Sequence, residues 1–473
     1  MSARTSSPPL LLLSIALSAC SSGNSRSAAD AGTTNGGAGG STASNGGALA
    51  AGGVGGSSSG GRDAGSSAGA TAGAGTSSGG TSSGNGAGGT TAVSGGASGA
   101  SSSGGASGAN AGTGGASGAN GGNGGASGAP TVERLYVAGA ATSGNGSVLT
   151  EYDVTTDPVT LKKGPSLTVD GLTSFLAFSP SGDRLYSTDE NGGMLRSFKL
   201  DVTTGAPSVL NAVMTAGHPT HVAIDSGSHF VFGADYNEGK VEVVGLDATG
   251  ALTTWVDAES PGSQTHEVVL SPDGKFAFVP CKGSDKVAQF HFDATTGALD
   301  ANTPPSVASA GGAGPRHMAF GPQAGFAYVI DENGNTMETM AYDAAAGSFT
   351  RKGALTTLPS GFSGSSTAAE VAVAPSGRFL YGSNRIVNAN GDIVIYAIAQ
   401  DGSLSLVAHQ DTHGMQPRHF SIDPTGKLLF VANLDSKSLA VFTLDVTTGK
   451  PTFVTQTDVA MQPYYAAVNP HAK

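Results

Sequence analysis

Cysteine is nearly missing from this chain: Cys20 and Cys281 are the two present, and Cys20 lies in an N-terminal leader, so Cys281 has no partner for an intramolecular disulfide. The spacings of Cys, His and carboxylates match neither a zinc site nor an EF-hand loop, and no metal is expected. G-x-S-x-G, a phosphate-cradling glycine loop and a heptad pattern are absent too, and no cofactor is expected. Basic residues are scarce. Arg4, Arg26, Arg62, Asp30 and Asp63 are the charges before residue 131, which leaves 33 acidic and 20 basic residues beyond it. Nucleic acid, which is bound through clustered Lys and Arg, is excluded as a partner, and the acidity reads as solubility. The N-terminal apolar stretch, Leu10 to Ala19, is about half the length that a bilayer requires, so it does not read as a membrane span.

That stretch follows a positive start at Arg4 and ends Leu17-Ser18-Ala19-Cys20, which reads as a secretion signal. The ending resembles a bacterial lipobox, so residues 1–20 are expected to be a lipoprotein signal peptide with Cys20 as the lipidated N-terminus. Buried CH₂ groups would tether the mature chain to a membrane without spanning it. Ser21 resembles the outer-membrane sorting class, so the expected location is the cell envelope, at the outer membrane. Residues 21–130 are Gly, Ser, Ala, Thr and Asn, with four copies of GGASGA, and cannot bury a core. They are expected to be a flexible linker with a reach on the order of 60 Å.

From 131 to 473 one unit recurs seven times. Its first half is an apolar run at Leu135, Leu185, Phe230, Phe276, Phe326, Phe379 and Leu428, spaced 45 to 53 residues apart. Its second half is a turn written DVTTD at 153, DVTTG at 201, DATG at 247, DATTG at 293, DAAAG at 343, QDG at 400 and DVTTG at 445. Seven near-equal units of short β-type runs predict an all-β, seven-bladed β-propeller with four strands per blade. The first run lacks the strand that precedes the others, and the missing piece stands at the other end as Tyr464-Tyr465-Ala466-Ala467-Val468. A C-terminal strand completing the N-terminal blade would close the ring and remove exposed sheet edges. A linear solenoid would call for polar capping repeats instead.

Aligning the units on their proline turns yields two columns. Ser174, Thr220, His266, Arg316, Ala369, Arg418 and Tyr464 open the innermost strands, and Ala140, Glu190, Tyr236, Lys282, Glu332, Arg385 and Leu434 end the next ones. Antiparallel pairing puts both on one rim of the central channel. A His and a carboxylate there can exchange protons, and guanidinium groups can hold an anion or a developing oxyanion. His266 and Glu332 are the candidate catalytic residues, with Arg316, Arg385, Arg418 and Lys282 as substrate-binding residues. Each can also be read as structural, pairing between blades. The adjacent column, His221, Glu267, His317, Glu370 and His419, should by strand alternation point into the blades as buried groups satisfied by backbone. Trp255 reads as a packing residue or an exposed strand aromatic.

At these residues the chain resembles the seven-bladed lactonase family, which includes bacterial 6-phosphogluconolactonases and fungal carboxy-cis,cis-muconate cyclases. The resemblance covers essentially all of 131–473. It rests on Thr265-His266-Glu267-Val268, GAGPRHMAF at 312–320, YVIDE at 328–332, GRFLYGSNR at 377–385 and QPRHFSIDPTGKLLFVAN at 416–433. It implies that His266, Arg316, Glu332 and Arg385 match the residues proposed for the cyclase active site. Two departures stand out: Cys281-Lys282-Gly283 where the family usually has Asp-Leu-Gly, and Gln264 where it often has a second histidine. The resemblance implies a metal-independent lactonase acting on an acidic sugar lactone or a carboxylated lactone, with a small anionic lactone as partner and a monomeric chain. A muconate-type cycloisomerase would use the same groups for ring closure, and a non-catalytic binding propeller at the cell surface is the alternative from another class.

Overall fold

The computed structural model describes residues 132–142, 146–322 and 325–471. The expected signal peptide, Cys20 and the linker to residue 130 lie outside the described residues. Among those described, 28 strands form seven four-stranded antiparallel sheets, and no helix is long and apolar enough to cross a membrane. Blade 1 comprises 132–169 together with 461–468, and blades 2 to 7 follow as 176–214, 219–259, 269–308, 315–356, 366–411 and 417–458. The ring closes as the split repeat predicts. Met461–Val468 pairs antiparallel with Val132–Ala141, matching Val468 with Leu135 and Ala466 with Val137.

The apolar runs are the second strands of the blades, and they are apolar without alternation because both faces are covered. Phe230–Asp235 and Leu428–Asn433 are buried throughout. Seven clusters of buried side chains form the core, each shared by two neighbouring blades. One of them, with Leu135, Val154, Phe430 and Val441, joins the first blade to the last. A fully buried side chain of this size contributes about 1.5–3 kcal/mol, so the closing interface is held much as the others are.

The two halves of the repeat meet across blades. The hydroxyls of Tyr136, Tyr186, Tyr328 and Tyr381 donate to the carbonyls of Gly205, Gly250, Gly402 and Gly449 at 2.8, 3.1, 3.1 and 2.8 Å. Each of those glycines ends the Asp turn of the following blade with φ between +72° and +79°, a left-handed conformation that disfavours any residue with a Cβ. In these four blades the run is thus tethered to the turn of its neighbour; Phe232, Phe278 and Phe430 stand at the equivalent places of the other three without a hydroxyl. Trp255 is the exposed strand aromatic of the two readings, 40% accessible, with its indole N–H donating to the Met214 carbonyl at 2.7 Å.

Candidate functional site

The innermost strands are irregular at one recurring place. Pro219 faces Asp235 and His221 faces Ala234. Pro315 faces Asp331 and His317 faces Ile330, and Pro417 faces Asn433 and His419 faces Ala432. Thr220, Arg316 and Arg418 are thus the extra residues of β-bulges, as Tyr464 is between Pro463 and Tyr465. In blade 4, Thr265 bridges Cys281 and Val269 pairs with Phe278, so the stretch holding His266 and Glu267 also carries one residue too many. A bulge bends the strand and re-aims its side chains. Two consecutive residues can then face the axis where alternation would send one of them away.

The first column forms the mouth of the channel, as the repeat alignment expects. Ser174, Thr220, His266, Arg316, Arg418 and Tyr464 line one cavity there. The second column meets it at Glu332. Its backbone is fixed by its own N–H donating to the Gly314 carbonyl and its carbonyl accepting from Ala368 N–H, at 2.8 and 3.1 Å. Its carboxylate holds three cations: Lys282 Nζ at 2.9 Å, Arg316 Nε at 3.1 Å and Arg385 Nη2 at 3.3 Å. Lys282 also donates to the Tyr236 hydroxyl at 3.2 Å. Across the mouth, Arg418 lies 4.9 Å over the Tyr464 ring, and its Nη2 stands 3.8 Å from Glu190 Oε1. All six residues singled out from the sequence therefore lie around this rim. Four cations against two carboxylates make it a positive spot on a chain of net charge −12.

Burial opposes charge on Glu332, but Arg316, Arg385 and Lys282 together outweigh it and hold the carboxyl at about 2. Arg316 is itself pushed down, to about 9, by burial and then by Arg418 and Arg385. Even so lowered, the guanidinium carries its charge at neutral pH. Burial, with Arg316 next, holds the His266 imidazolium well below its usual range, so the ring is neutral. His266 Nδ1 is buried without a hydrogen-bond partner, and Arg316 Nε and Arg385 Nε are in the same condition. The Nε of Arg316 is close to Glu332 but not aligned for a hydrogen bond.

The two departures from the family pattern belong to this rim. Gln264 adopts φ +53° and its carbonyl accepts the Lys282 N–H at 2.9 Å, seating the third cation. Cys281 points into the core, with its thiol pushed up to about 12 by burial.

The adjacent column departs from expectation. His221, Glu267, His317, Glu370 and His419 do not turn into the blades; they meet one another around the axis, one layer beneath the mouth. His317 Nδ1 is 3.0 Å from both oxygens of Glu370, His419 Nε2 is 3.5 Å from Glu370 Oε2, and His221 Nε2 is 3.7 Å from Glu267 Oε1. Phe175 reaches across them, its ring centroid 4.1, 5.7 and 5.6 Å from those of His221, His317 and His419. Backbone satisfaction is found as expected for two of them. His221 Nδ1 and His419 Nδ1 accept the N–H of Val268 and Ala466, each at 3.4 Å, which leaves the proton on Nε2, facing the carboxyl group of Glu267 and of Glu370 respectively. The bulges are the reason for the change of direction. Their sequence sign is the doublet of polar residues on otherwise apolar strands, Thr220-His221, His266-Glu267, Arg316-His317 and Arg418-His419, which strict alternation would not place together.

Fold and site together define a seven-bladed propeller whose axial channel is plugged below and cationic at one mouth. The family model described as "Lactonase, 7-bladed beta-propeller" matches residues 134–468, and the chain belongs to that family. Among its relatives, the 6-phosphogluconolactonase of Pectobacterium carotovorum is 29% identical over 322 residues, which is 68% of this chain and 91% of that protein. That of Pectobacterium atrosepticum is 30% identical over 301 residues, 63% of this chain and 89% of that one. Among solved structures, a periplasmic gluconolactonase of Pseudomonas aeruginosa superposes with a TM-score of 0.66 at 27% identity, covering 72% of this chain and 99% of that one.

Proposed function

We propose that the chain is a lactone hydrolase that works without a metal on an acidic sugar lactone or a carboxylated lactone. The observation that carries this reading is a neutral, buried imidazole with an unpartnered Nδ1, His266, on the same rim as three cations fixed by Glu332. The names of the 6-phosphogluconolactonase and gluconolactonase relatives support the same class. Arg316 and Arg385 would hold the anionic group and the lactone carbonyl, where negative charge develops as water adds. His266 Nδ1 takes a proton from the attacking water as its oxygen bonds to the carbonyl carbon. The ring C–O bond then breaks, and the imidazolium returns the proton to the leaving alkoxide. Glu332 is already paired with Lys282, Arg316 and Arg385, whereas His266 Nδ1 has no partner, so in this reading the carboxylate sets the spacing of the cations and the imidazole handles the proton.

Hydrolysis by the full chain over a panel of sugar and carboxylated lactones, with chelator present, tests the proposal. Turnover should appear and fall by about 10²–10⁴ in His266→Ala. Turnover indifferent to His266, or none on any lactone, would return the chain to the binding-propeller reading, and ring closure on a muconate would make it a cycloisomerase. We also propose that the mature chain acts as a monomer in the cell envelope, anchored through lipid on Cys20. The Leu17-Ser18-Ala19-Cys20 sequence supports the anchor, and the Pseudomonas relative is itself described as periplasmic. Membrane association that survives Cys20→Ser would overturn it.

A further inference from the structure

Arg316 is 2% exposed and sits between two layers of the axis. Above it, Nε faces Glu332. To its side, Nη1 donates to the Ala369 carbonyl at 2.7 Å. Below it is His317, whose two ring nitrogens are both 3.3 Å from Nη1. Equal distances to both nitrogens place the guanidinium over the face of the imidazole, since an in-plane hydrogen bond would favour one of them; arginine stacks on such faces. His317 is in turn held by Glu370, whose carboxylate lies 3.0 Å from Nδ1 through either oxygen. Glu370 is well fixed itself. Its backbone N–H donates to Ser383 Oγ at 3.0 Å, its Oε1 accepts Val371 N–H at 3.0 Å, and His419 Nε2 approaches at 3.5 Å from the next blade. The hydrolysis proposed above makes no use of Glu370.

We propose that Glu370 is a positioning residue for Arg316: its carboxylate fixes the plane and tautomer of His317, and the imidazole face seats the guanidinium that closes on Glu332. Glu370 is not among the partners of the carboxylate that the mouth cations share; it lies one layer beneath them between His317 and His419, and its route to Arg316 runs through the His317 ring. The kinetic consequence rests on the lactonase reading; the geometric one does not.

The test compares wild type, Glu370→Gln, Arg316→Lys and the double variant as full chains. With a hydrolysed lactone, Glu370→Gln should lower kcat by about tenfold or more while KM moves less than about threefold, and the double variant should be no slower than Arg316→Lys alone. Losses that multiply in the double variant, as independent structural damage would, overturn the proposal. A second readout needs no substrate: the Arg316 Nε–H resonance, assigned by its disappearance in Arg316→Lys, should exchange with solvent at least about tenfold faster in Glu370→Gln. Unchanged exchange overturns the proposal as well. A wild type that hydrolyses no lactone removes the functional reading and leaves the exchange measurement to decide the positioning role. If Glu370→Gln does not fold, His317→Gln, which keeps a donor for Glu370 and removes the ring face, tests the same link.

Discussion

Replacing Glu332 by glutamine keeps the size of the side chain and removes the charge that Lys282, Arg316 and Arg385 share. The cost follows from the proton affinity of the carboxyl, which stands at about 2 against an ordinary 4.5. That difference corresponds to about 3 kcal/mol of stability at neutral pH, close to the roughly 3–5 kcal/mol that breaking one side of a buried ion pair costs. Glu332 is 14% exposed, so little of it is lost to solvent screening. The sign is fixed by which state holds the proton. Between about pH 4.5 and 2 the unfolded carboxyl is protonated and the folded one is not, so the stabilisation is full above that window and lost as pH falls through it. Urea unfolding of wild type and Glu332→Gln from pH 7 to pH 2.5 should show a gap of about 3 kcal/mol that narrows as the acid end is approached. A glutamine variant as stable as wild type at pH 7, or a gap that does not change with pH, would refute the triple ion pair. Added phosphate should stabilise the variant more than wild type, because it supplies the missing anion.

Glu267→Gln should act in the opposite sense. Burial, then Glu370, raises this carboxyl well above its usual range, so the folded state keeps a proton that the unfolded state gives up as pH rises past about 4.5. The variant, whose amide oxygen can still accept Met318 N–H, should therefore gain stability relative to wild type on going from pH 5 to pH 8, measured by urea unfolding. Tyr381→Phe removes the hydroxyl that tethers blade 6 to the turn at Gly449 and should cost about 1 kcal/mol with no change in activity. Ending the chain after Asp458 removes the strand that completes blade 1, exposing the edge of Val132–Ala141. Cooperative unfolding should be lost, as checked by calorimetry.

The architecture was legible in the sequence because it is written seven times over. The apolar run and the Asp turn recur at a fixed distance, and the half-unit at Tyr464-Tyr465 has a single place to go. The rim was legible for a related reason: register counted from a repeated proline turn puts His266 and Arg316 at equivalent places even though the residues differ. Contacts across the axis were not legible. That Glu332 takes Lys282, Arg316 and Arg385 together, while Arg418 turns to Tyr464 and Glu190, depends on which side chains span from blade to blade. The inner ring was misread for a local reason. Alternation assumes an unbroken ladder, and one extra residue per strand reverses the direction of His317 and His419 while leaving the rest of each strand in register.

That extra residue also explains how the rim can vary while the blades stay alike. A bulged residue stands outside the pairing of its strand, so its side chain is chosen with little consequence for the ladder beside it. Serine, threonine, histidine, arginine and tyrosine can therefore occupy equivalent places around one mouth. The residue after it has no such freedom, since it must fill the axis against its counterparts; hence Phe175, Tyr465 and the paired histidines and glutamates form a close layer. Charge is then distributed unevenly. Lys282, Arg316 and Arg385 come from blades 4, 5 and 6 and Arg418 from blade 7, whereas blades 1 to 3 offer Tyr464, Ser174 and Thr220 to the same mouth, with Glu190 of blade 2 beside Arg418. The three cations that share Glu332 thus stand on one side of the mouth, and the Arg418–Glu190 pair stands with the hydroxyl groups on the other.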